Sequence, residues 1–301
     1  AVQFISNFTT ADINGLQEHE GCDGFFCDAR GWILEMAILL RSDEGLRIRV
    51  ARGRGHGLAT HLDRYHIRED LTIFQNQEEL HSVLVSGGQT KKWLGEFFDV
   101  SVPVKVYQQI QEHCGDNPFS TRSNPARLMA VDWVSSQGFL VTVPEECKDV
   151  LQSSLLESGL QESTDEMITY LRLQQGWPLG NDIPEKTLPQ EVGLNARTIS
   201  LTKGCYLGQE TVARLDALGH VNRRLVVLAV EKGGSMVVGD SVASNDEVVS
   251  RVTSVGCLGN QEVSLAMAII PLKSMQQKSN LTVAGKAANV VSPVLLDTLV
   301  T

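Results

Sequence analysis

Apolar and polar positions change period several times along the chain, and the changes mark out its elements. From 22 to 51, short apolar runs alternate with turn residues: Phe25-Phe26-Cys27, Asp28-Ala29-Arg30-Gly31, Trp32 to Leu40, Ser42-Asp43-Glu44-Gly45, then Leu46 to Val50. This spacing predicts an antiparallel meander. Beyond Gly53 and Gly55, Leu58, Leu62 and Tyr65 recur at helical spacing to about His66, and Leu71-Thr72-Ile73-Phe74 returns as a strand. Strands around a helix imply an α+β unit. A second set follows, with a strand from Leu80 to Ser86, a break at Gly87-Gly88, and a helix from Gln89 to Phe98 through Trp93, Leu94 and Phe97. Gly-Gly before a helix is compatible with a phosphate cradle, but without the Walker lysine and Ser/Thr it reads better as plain turn chemistry. Leu128 to Val134 and Phe139 to Val143 flank Ser135-Ser136-Gln137-Gly138 as a hairpin, and Pro144-Glu145-Glu146 opens a helix to Gly159.

Thr164 is a good N-cap for a helix through Met167, Ile168 and Leu171, closed by Gly176. Gly176 to Leu194 carries Pro178, Pro184 and Pro189 with three glycines, too broken for regular structure and too long for an ordinary connection, which marks it as functional. From Arg224 onward the apolar runs are short: Leu225 to Val230, Met236 to Val238, Val248 to Val255, Glu262 to Ile270 and Leu281 to Val283. Turn signals between them indicate a small all-β barrel or sandwich.

A length of 301 residues suits two or three compact units, and 42% hydrophobic with 21% charged residues is globular composition. No apolar run reaches the ~18 residues that span a bilayer. The start, Ala1-Val2-Gln3-Phe4-Ile5, lacks the basic region and apolar core of a signal peptide, so a cytoplasmic location is expected, or an organelle matrix in a eukaryote. Six cysteines (22, 27, 114, 147, 205, 257) form no CxxC pair and no Cys/His cluster at zinc spacing, so no metal site is expected and reduced thiols fit best. A formal charge of -10 argues against stable nucleic-acid or membrane binding, which depends on clustered cations. The richest cationic stretch, Arg41, Arg47, Arg49, Arg52 and Arg54, alternates with Leu46, Ile48 and Val50 and reads as the solvated face of a strand.

Chemistry concentrates in residues 203–210, Lys203-Gly204-Cys205-Tyr206-Leu207-Gly208-Gln209-Glu210. Gly204 and Gly208 permit a tight turn or a close ligand approach, and Lys203 two residues before Cys205 is placed to favour a thiolate. The alternative is a packed thiol, since free cysteine is among the most buried residue types.

The chain resembles the YgfZ/GcvT-like folate-binding family. Residues 203–210 match its Lys-Gly-Cys-Tyr-x-Gly-Gln-Glu hallmark at every defined position. Similar flanking landmarks are Gly176-Trp177-Pro178 with Gly180-Asn181-Asp182-Ile183, Pro189-Gln190-Glu191-Val192-Gly193-Leu194 and Val212-Ala213-Arg214. Towards the start, Thr9-Thr10-Ala11-Asp12, Cys27-Asp28-Ala29-Arg30-Gly31, and Arg64-Tyr65 to Asp70-Leu71 correspond as well. Two departures stand out: the family has a further strand before the equivalent of Phe4, and Ile168 falls where some members place a tryptophan of the folate cavity.

The resemblance implies an α+β ring of two ferredoxin-like units plus a C-terminal β-barrel. It divides the chain into a folate-binding-like region at 1–221, with interleaved subdomains split near 75–80 and 160, and a barrel at 222–301. It implies an accessory role in iron-sulphur cluster assembly or repair, and thereby in tRNA modification, with iron-sulphur enzymes or assembly proteins as partners. Cys205 and Lys203 are the expected reactive pair, and Tyr206, Gly208, Gln209, Glu210 and Arg214 the expected contacts to tetrahydrofolate or a derivative. Gln209 and Glu210 are equally suited to ordinary helix initiation.

Two other classes compete. In the related glycine-cleavage T-protein, an aminomethyltransferase, the catalytic aspartate lies in a Gly-Gly-x-x-Asp-Asp stretch. The comparable segment here runs Gly31-Trp32-Ile33-Leu34-Glu35-Met36, where Glu35 either replaces that acid or is one polar position of an alternating strand. A cysteine hydrolase needs a positioned histidine, and His220 is the nearest in sequence.

Overall fold

The computed structural model describes residues 1–43, 45–75, 80–112, 119–120, 125–231, 235–259, 261–275 and 280–297. Glu44 of the Ser42–Gly45 turn and Cys114 lie outside them. Helix α1 (Val2–Ser6) leads into a three-stranded antiparallel sheet, β1 (Gly21–Cys27), β2 (Ile33–Ser42) and β3 (Gly45–Arg49), in that order, followed by α2 (Gly55–Asp63). A second sheet has the order β4-β7-β6-β5, from β4 (Leu80–Ser86), β5 (Gln109–Glu112), β6 (Ala126–Val131) and β7 (Gly138–Pro144). Helices α3 (Thr90–Phe98) and α4 (Lys148–Glu157) pack on one face of it through Leu94, Leu151 and Leu155. The meander, the hairpin and both helices stand where the apolar pattern puts them.

Strand β2 shows why its sequence is almost continuously apolar. Successive side chains point to opposite faces. Ala37 and Leu39 meet Phe4, Phe8, Phe26 and Leu62 on one side, while Ile38 and Leu40 meet Met129, Leu140 and Trp177 on the other. Both faces are covered.

Helix α5 (Asp165–Gln175) is capped by Thr164 Oγ1, which accepts the Met167 N–H at 3.2 Å, and ends at Gly176 with φ +79°. The Pro/Gly stretch after it is not wholly irregular. It holds a 3-10 turn at Gly180–Asp182 and the short helices α6 (Pro189–Val192) and α7 (Asn195–Thr198), before α8 (Gln209–Leu218). Asp182, fully buried, is held by Arg172 Nη1 at 2.8 Å, by Leu179 N–H at 2.9 Å and by Thr253 Oγ1 at 2.6 Å. That tie joins α5 and the loop to the C-terminal sheet.

That sheet has seven strands: β8 (Arg223–Glu231), β9 (Ser241–Ser244), β10 (Glu247–Arg251), β11 (Ser254–Gly256), β12 (Val263–Pro271), β13 (Leu281–Val283) and β14 (Lys286–Val291). Their order is β10-β9-β13-β14-β8-β12-β11, and the sheet curls until Ser250 Oγ of β10 donates to the Ile269 carbonyl of β12 at 2.5 Å. Val226, Leu228, Ala266 and Ile270 fill its inside, while Leu225, Val227, Met267 and Ile269 face α5 and β1. No helix among the described residues is long and apolar enough to cross a membrane.

Three further expectations fail. Leu71–Phe74 is not a strand: Leu71 and Ile73 only lean on the α2 core, and Phe74 is 84% exposed. Met236–Val238 is a turn, in which Met236 plugs the curled sheet while Val237 donates to Asp240 Oδ2 at 2.8 Å. The arginine-bearing strand β3 is half-buried rather than solvated, and Arg49 Nη2 reaches Ser82 Oγ of β4 at 3.2 Å. Gly87-Gly88 is turn chemistry, with Thr90 N–H donating to the Gly87 carbonyl at 3.1 Å.

At Gly256 the β11 backbone touches α5, and a Cβ there would lie 2.8 Å from Tyr170 Cα. Gly256→Ala is therefore expected to lower the unfolding free energy by about 1–3 kcal/mol through strain that backbone cannot relieve, measured by urea denaturation. An unchanged midpoint would show that α5 is free to shift.

Candidate functional site

The loop bearing Cys205 is built from inside. Lys203 is buried, and its ammonium donates to three backbone carbonyls of the N-terminal segment: Ser6 at 2.7 Å, Thr9 at 2.8 Å and Ala11 at 2.8 Å. An ammonium has three protons, and all are used. Burial pushes its pKa down to about 8, against the pull of Asp12 and Cys22. The Tyr206 ring, also buried, lies 5.3 Å from Lys203 Nζ, and burial drives its hydroxyl pKa upward. Leu207 N–H donates to the Asn7 carbonyl at 2.8 Å.

The other side of the loop rests on the Asp28–Gly31 turn. Asp28 Oδ1 accepts from Arg30 and Trp32 N–H at 2.9 Å each, and Gly31 takes φ +82°. Gly208, at φ +83°, begins α8 so close to this turn that a Cβ would sit 2.4 Å from the Asp28 carbonyl oxygen. Only glycine satisfies both demands. Gln209 closes the turn on itself, its Oε1 accepting the Tyr206 N–H at 3.3 Å and its N–H reaching the Tyr206 carbonyl at 3.1 Å. The N-terminal segment is bolted down in turn: Thr10 Oγ1 accepts from Phe25 N–H at 2.9 Å and donates to the Thr198 carbonyl at 2.6 Å.

Cys205 stands exposed above this base, and around Gly204 nothing approaches within 4 Å of a Cβ position. Cys22, Cys27 and Cys147 are partly or fully buried, and burial pushes the first two thiols up to about 12. Glu210 and Arg214 are exposed on α8. His220 Nδ1 is engaged with the Leu218 carbonyl at 2.9 Å. Glu35 is a position of strand β2, 5% exposed and paired with Arg54 Nε at 2.6 Å. Ile168 is 37% exposed on α5. Neither the small void under Phe98 and Leu128 nor the open surface depression beside His56 and Phe74 is lined by the octapeptide.

A second polar cluster has no local sequence signature. Arg197 of α7 donates through Nε to Asp23 of β1 at 2.6 Å, through Nη1 to Asp132 at 2.9 Å, and through Nη2 to the Tyr107 hydroxyl at 3.1 Å. Trp133 Nε1 donates to the same hydroxyl at 3.1 Å, and the Trp133 and Trp177 rings stack with centroids 5.8 Å apart. Burial lifts the Asp23 pKa to about 6 although Arg197 opposes it, and Asp23 Oδ1 has no partner. The hydrogen-bond partners of Arg197 lie 65 to 174 residues from it in sequence, so nothing short of tertiary contact reveals them.

Two outcomes are expected. Lys203→Met leaves three carbonyls without their donor and lowers the unfolding free energy by about 2–4 kcal/mol, with faster proteolysis at residues 200–208; an unchanged melting temperature would contradict the anchoring role. For Asp23, the native state binds its proton more tightly than the unfolded chain does, so stability is lost as pH rises from 3.8 to about 6. The stability of the unsubstituted protein relative to Asp23→Asn should fall across that window by roughly 1–4 kcal/mol and then level off, measured by urea unfolding; a flat difference would place the Asp23 pKa elsewhere.

No family model matches the chain. Curated relatives carry the name tRNA-modifying protein YgfZ. The one from Shigella dysenteriae is 26% identical over 233 residues, 75% of this chain and 66% of its own. The one from Yersinia enterocolitica is 27% identical over 243 residues, 80% of this chain and 69% of its own. Among solved structures, the glycine cleavage system aminomethyltransferase T from Bartonella henselae matches with a TM-score of 0.78 at 18% identity, covering 98% of this chain and 81% of that one. The chain is thus similar to the YgfZ proteins in sequence and to a glycine-cleavage aminomethyltransferase in fold, which bears out the YgfZ/GcvT-like resemblance carried by residues 203–210 and their flanks.

Proposed function

We propose that this protein is an accessory factor that supports iron-sulphur cluster assembly or repair, and through it tRNA modification, by presenting Cys205 as a thiolate to an iron-sulphur enzyme or assembly partner. The observation that carries the reading is the contrast within one loop. Lys203, Tyr206, Gly208 and Gln209 are spent on holding the backbone, whereas Cys205 between them is exposed. Thiolates are the soft ligands that iron-sulphur clusters use, and loss of the thiol proton to solvent precedes ligation. One cysteine does not hold a cluster, so the client or a second copy supplies the remaining ligands. In this reading residues 1–221 and 222–301 are the two parts of the molecule, enclosing a central space as the resemblance implies.

Tetrahydrofolate, which the resemblance also implies, needs a concave site with converging polar groups. Tyr206 is packed inward, Gln209 closes its own turn, and Glu210 and Arg214 stand on the surface, so these residues do not together form one. The fold of an aminomethyltransferase favours a second reading, folate-dependent aminomethyl transfer, but the comparably placed Glu35 is neutralised by Arg54 and no acid pair stands in that segment.

In cells lacking the native protein, Cys205→Ser should fail to restore the activity of cluster-dependent tRNA-modifying enzymes while accumulating as folded protein. Full restoration would defeat the proposal. Aminomethyl transfer from a lipoyl carrier to tetrahydrofolate by the purified protein would establish the second reading instead.

A further inference from the structure

From residue 292 to Asp297 the chain forms neither strand nor helix, yet it is seated. Residues 292–297 cross from the curled sheet to the end of α5 and on to the foot of α7. Leu295 N–H donates to the Gln175 carbonyl at 2.9 Å, and Asp297 N–H to the Gly193 carbonyl at 2.6 Å. The Asp297 carboxylate accepts the Asn195 N–H at 2.8 Å, and its carbonyl accepts Arg224 Nη2 at 2.7 Å. Gly176 shapes the seat: a Cβ there would lie 2.6 Å from the Pro293 ring. Leu295 touches both the cluster around Trp177 and the one around Phe25.

The seat is specific, but the fastening is light. These residues pair with no strand, and Leu295 and Leu296 remain partly exposed. Segments with few buried apolar contacts and no ladder open locally, at free energies well below global unfolding. What they hold matters more than their size. Helix α7 has four residues, too few to stand alone, and Asp297 takes its first N–H. Two residues on, Arg197 joins Asp23 of β1 to Asp132 after β6.

We propose that residues 293–297 are a strap that opens as a unit, uncovering the side of Trp177 and releasing α7, so that the grip of Arg197 on Asp23 and Asp132 depends on whether the strap is closed. The device is independent of Cys205 and of the function proposed for it. Opening would expose the buried Trp177 indole next to the partly exposed Arg197 guanidinium and its carboxylate partners, giving one aromatic and charged surface.

Hydrogen exchange on the unsubstituted 301-residue chain, read by mass spectrometry, tests it directly. The Leu295, Asp297 and Asn195 amides are expected to exchange together, on the order of tenfold or more faster than those of β8 and β12. Exchange of the 293–297 segment only with β8, or of 293–297 without Asn195, overturns the proposal. As a second measurement, Asp297→Ala in a Trp32→Phe, Trp93→Phe background should raise acrylamide quenching of the remaining Trp133 and Trp177. Equal quenching in a variant with native circular dichroism also overturns it.

Discussion

The candidate site depends on one buried ammonium. Lys203 gathers the carbonyls of Ser6, Thr9 and Ala11 from a segment more than 190 residues away in sequence. A charge taken out of water is tolerated only when its hydrogen-bonding capacity is met, and here three carbonyls meet it while being met themselves. The N-terminal segment and the octapeptide therefore fold against each other or not at all. With that anchor in place, Leu207 binds Asn7, Tyr206 closes over the ammonium, and the only reactive group of the loop left facing solvent is the Cys205 thiol.

The scattered landmarks of the chain become one object in this light. Thr9-Thr10-Ala11 supplies acceptors to Lys203 and a bolt to β1, the Asp28–Gly31 turn supplies the floor under Gly208, and residues 203–210 supply the displayed thiol. Gly24 lets the N-terminal segment lie against β1, where a Cβ would meet Thr9 Oγ1 at 2.5 Å. Arg197 does for the centre of the molecule what Lys203 does for the loop. It bridges Asp23 of β1 and Asp132 just beyond β6, and it sits on a helix too short to hold itself. Both cations join distant chain segments through buried polar contacts, so both sites are positioned by long-range structure rather than by the rigidity of one element.

Much of the architecture was legible because local periodicity and capping agreed with it. The meander of β1 to β3, the β6–β7 hairpin and the Thr164-to-Gly176 helix all follow the apolar pattern and its turn residues. Errors arose where apolar residues serve a purpose other than strand formation. Leu71 and Ile73 cover α2 without pairing, and Met236 fills the curled sheet from a turn. Strand β9, with Ser241 and Ser244, carries too few apolar residues to be noticed, because Val242 is its one large side chain in the core.

By itself the sequence determined the α+β succession followed by β-structure, the octapeptide with its single conspicuous thiol, and the resemblance to YgfZ/GcvT-like proteins, all properties encoded within a few neighbouring residues. Tertiary structure alone decided what the members of the octapeptide do. It turned Lys203 inward to carbonyls, made Gly208 a point of close backbone contact with the Asp28–Gly31 turn, and left Cys205 exposed. It alone also assembled Arg197 with Asp23, Asp132, Tyr107 and the Trp133–Trp177 stack. The reason is physical: hydrogen-bond partners of a buried cation are chosen by proximity in space, and no spacing along the chain encodes contacts between residues so far apart.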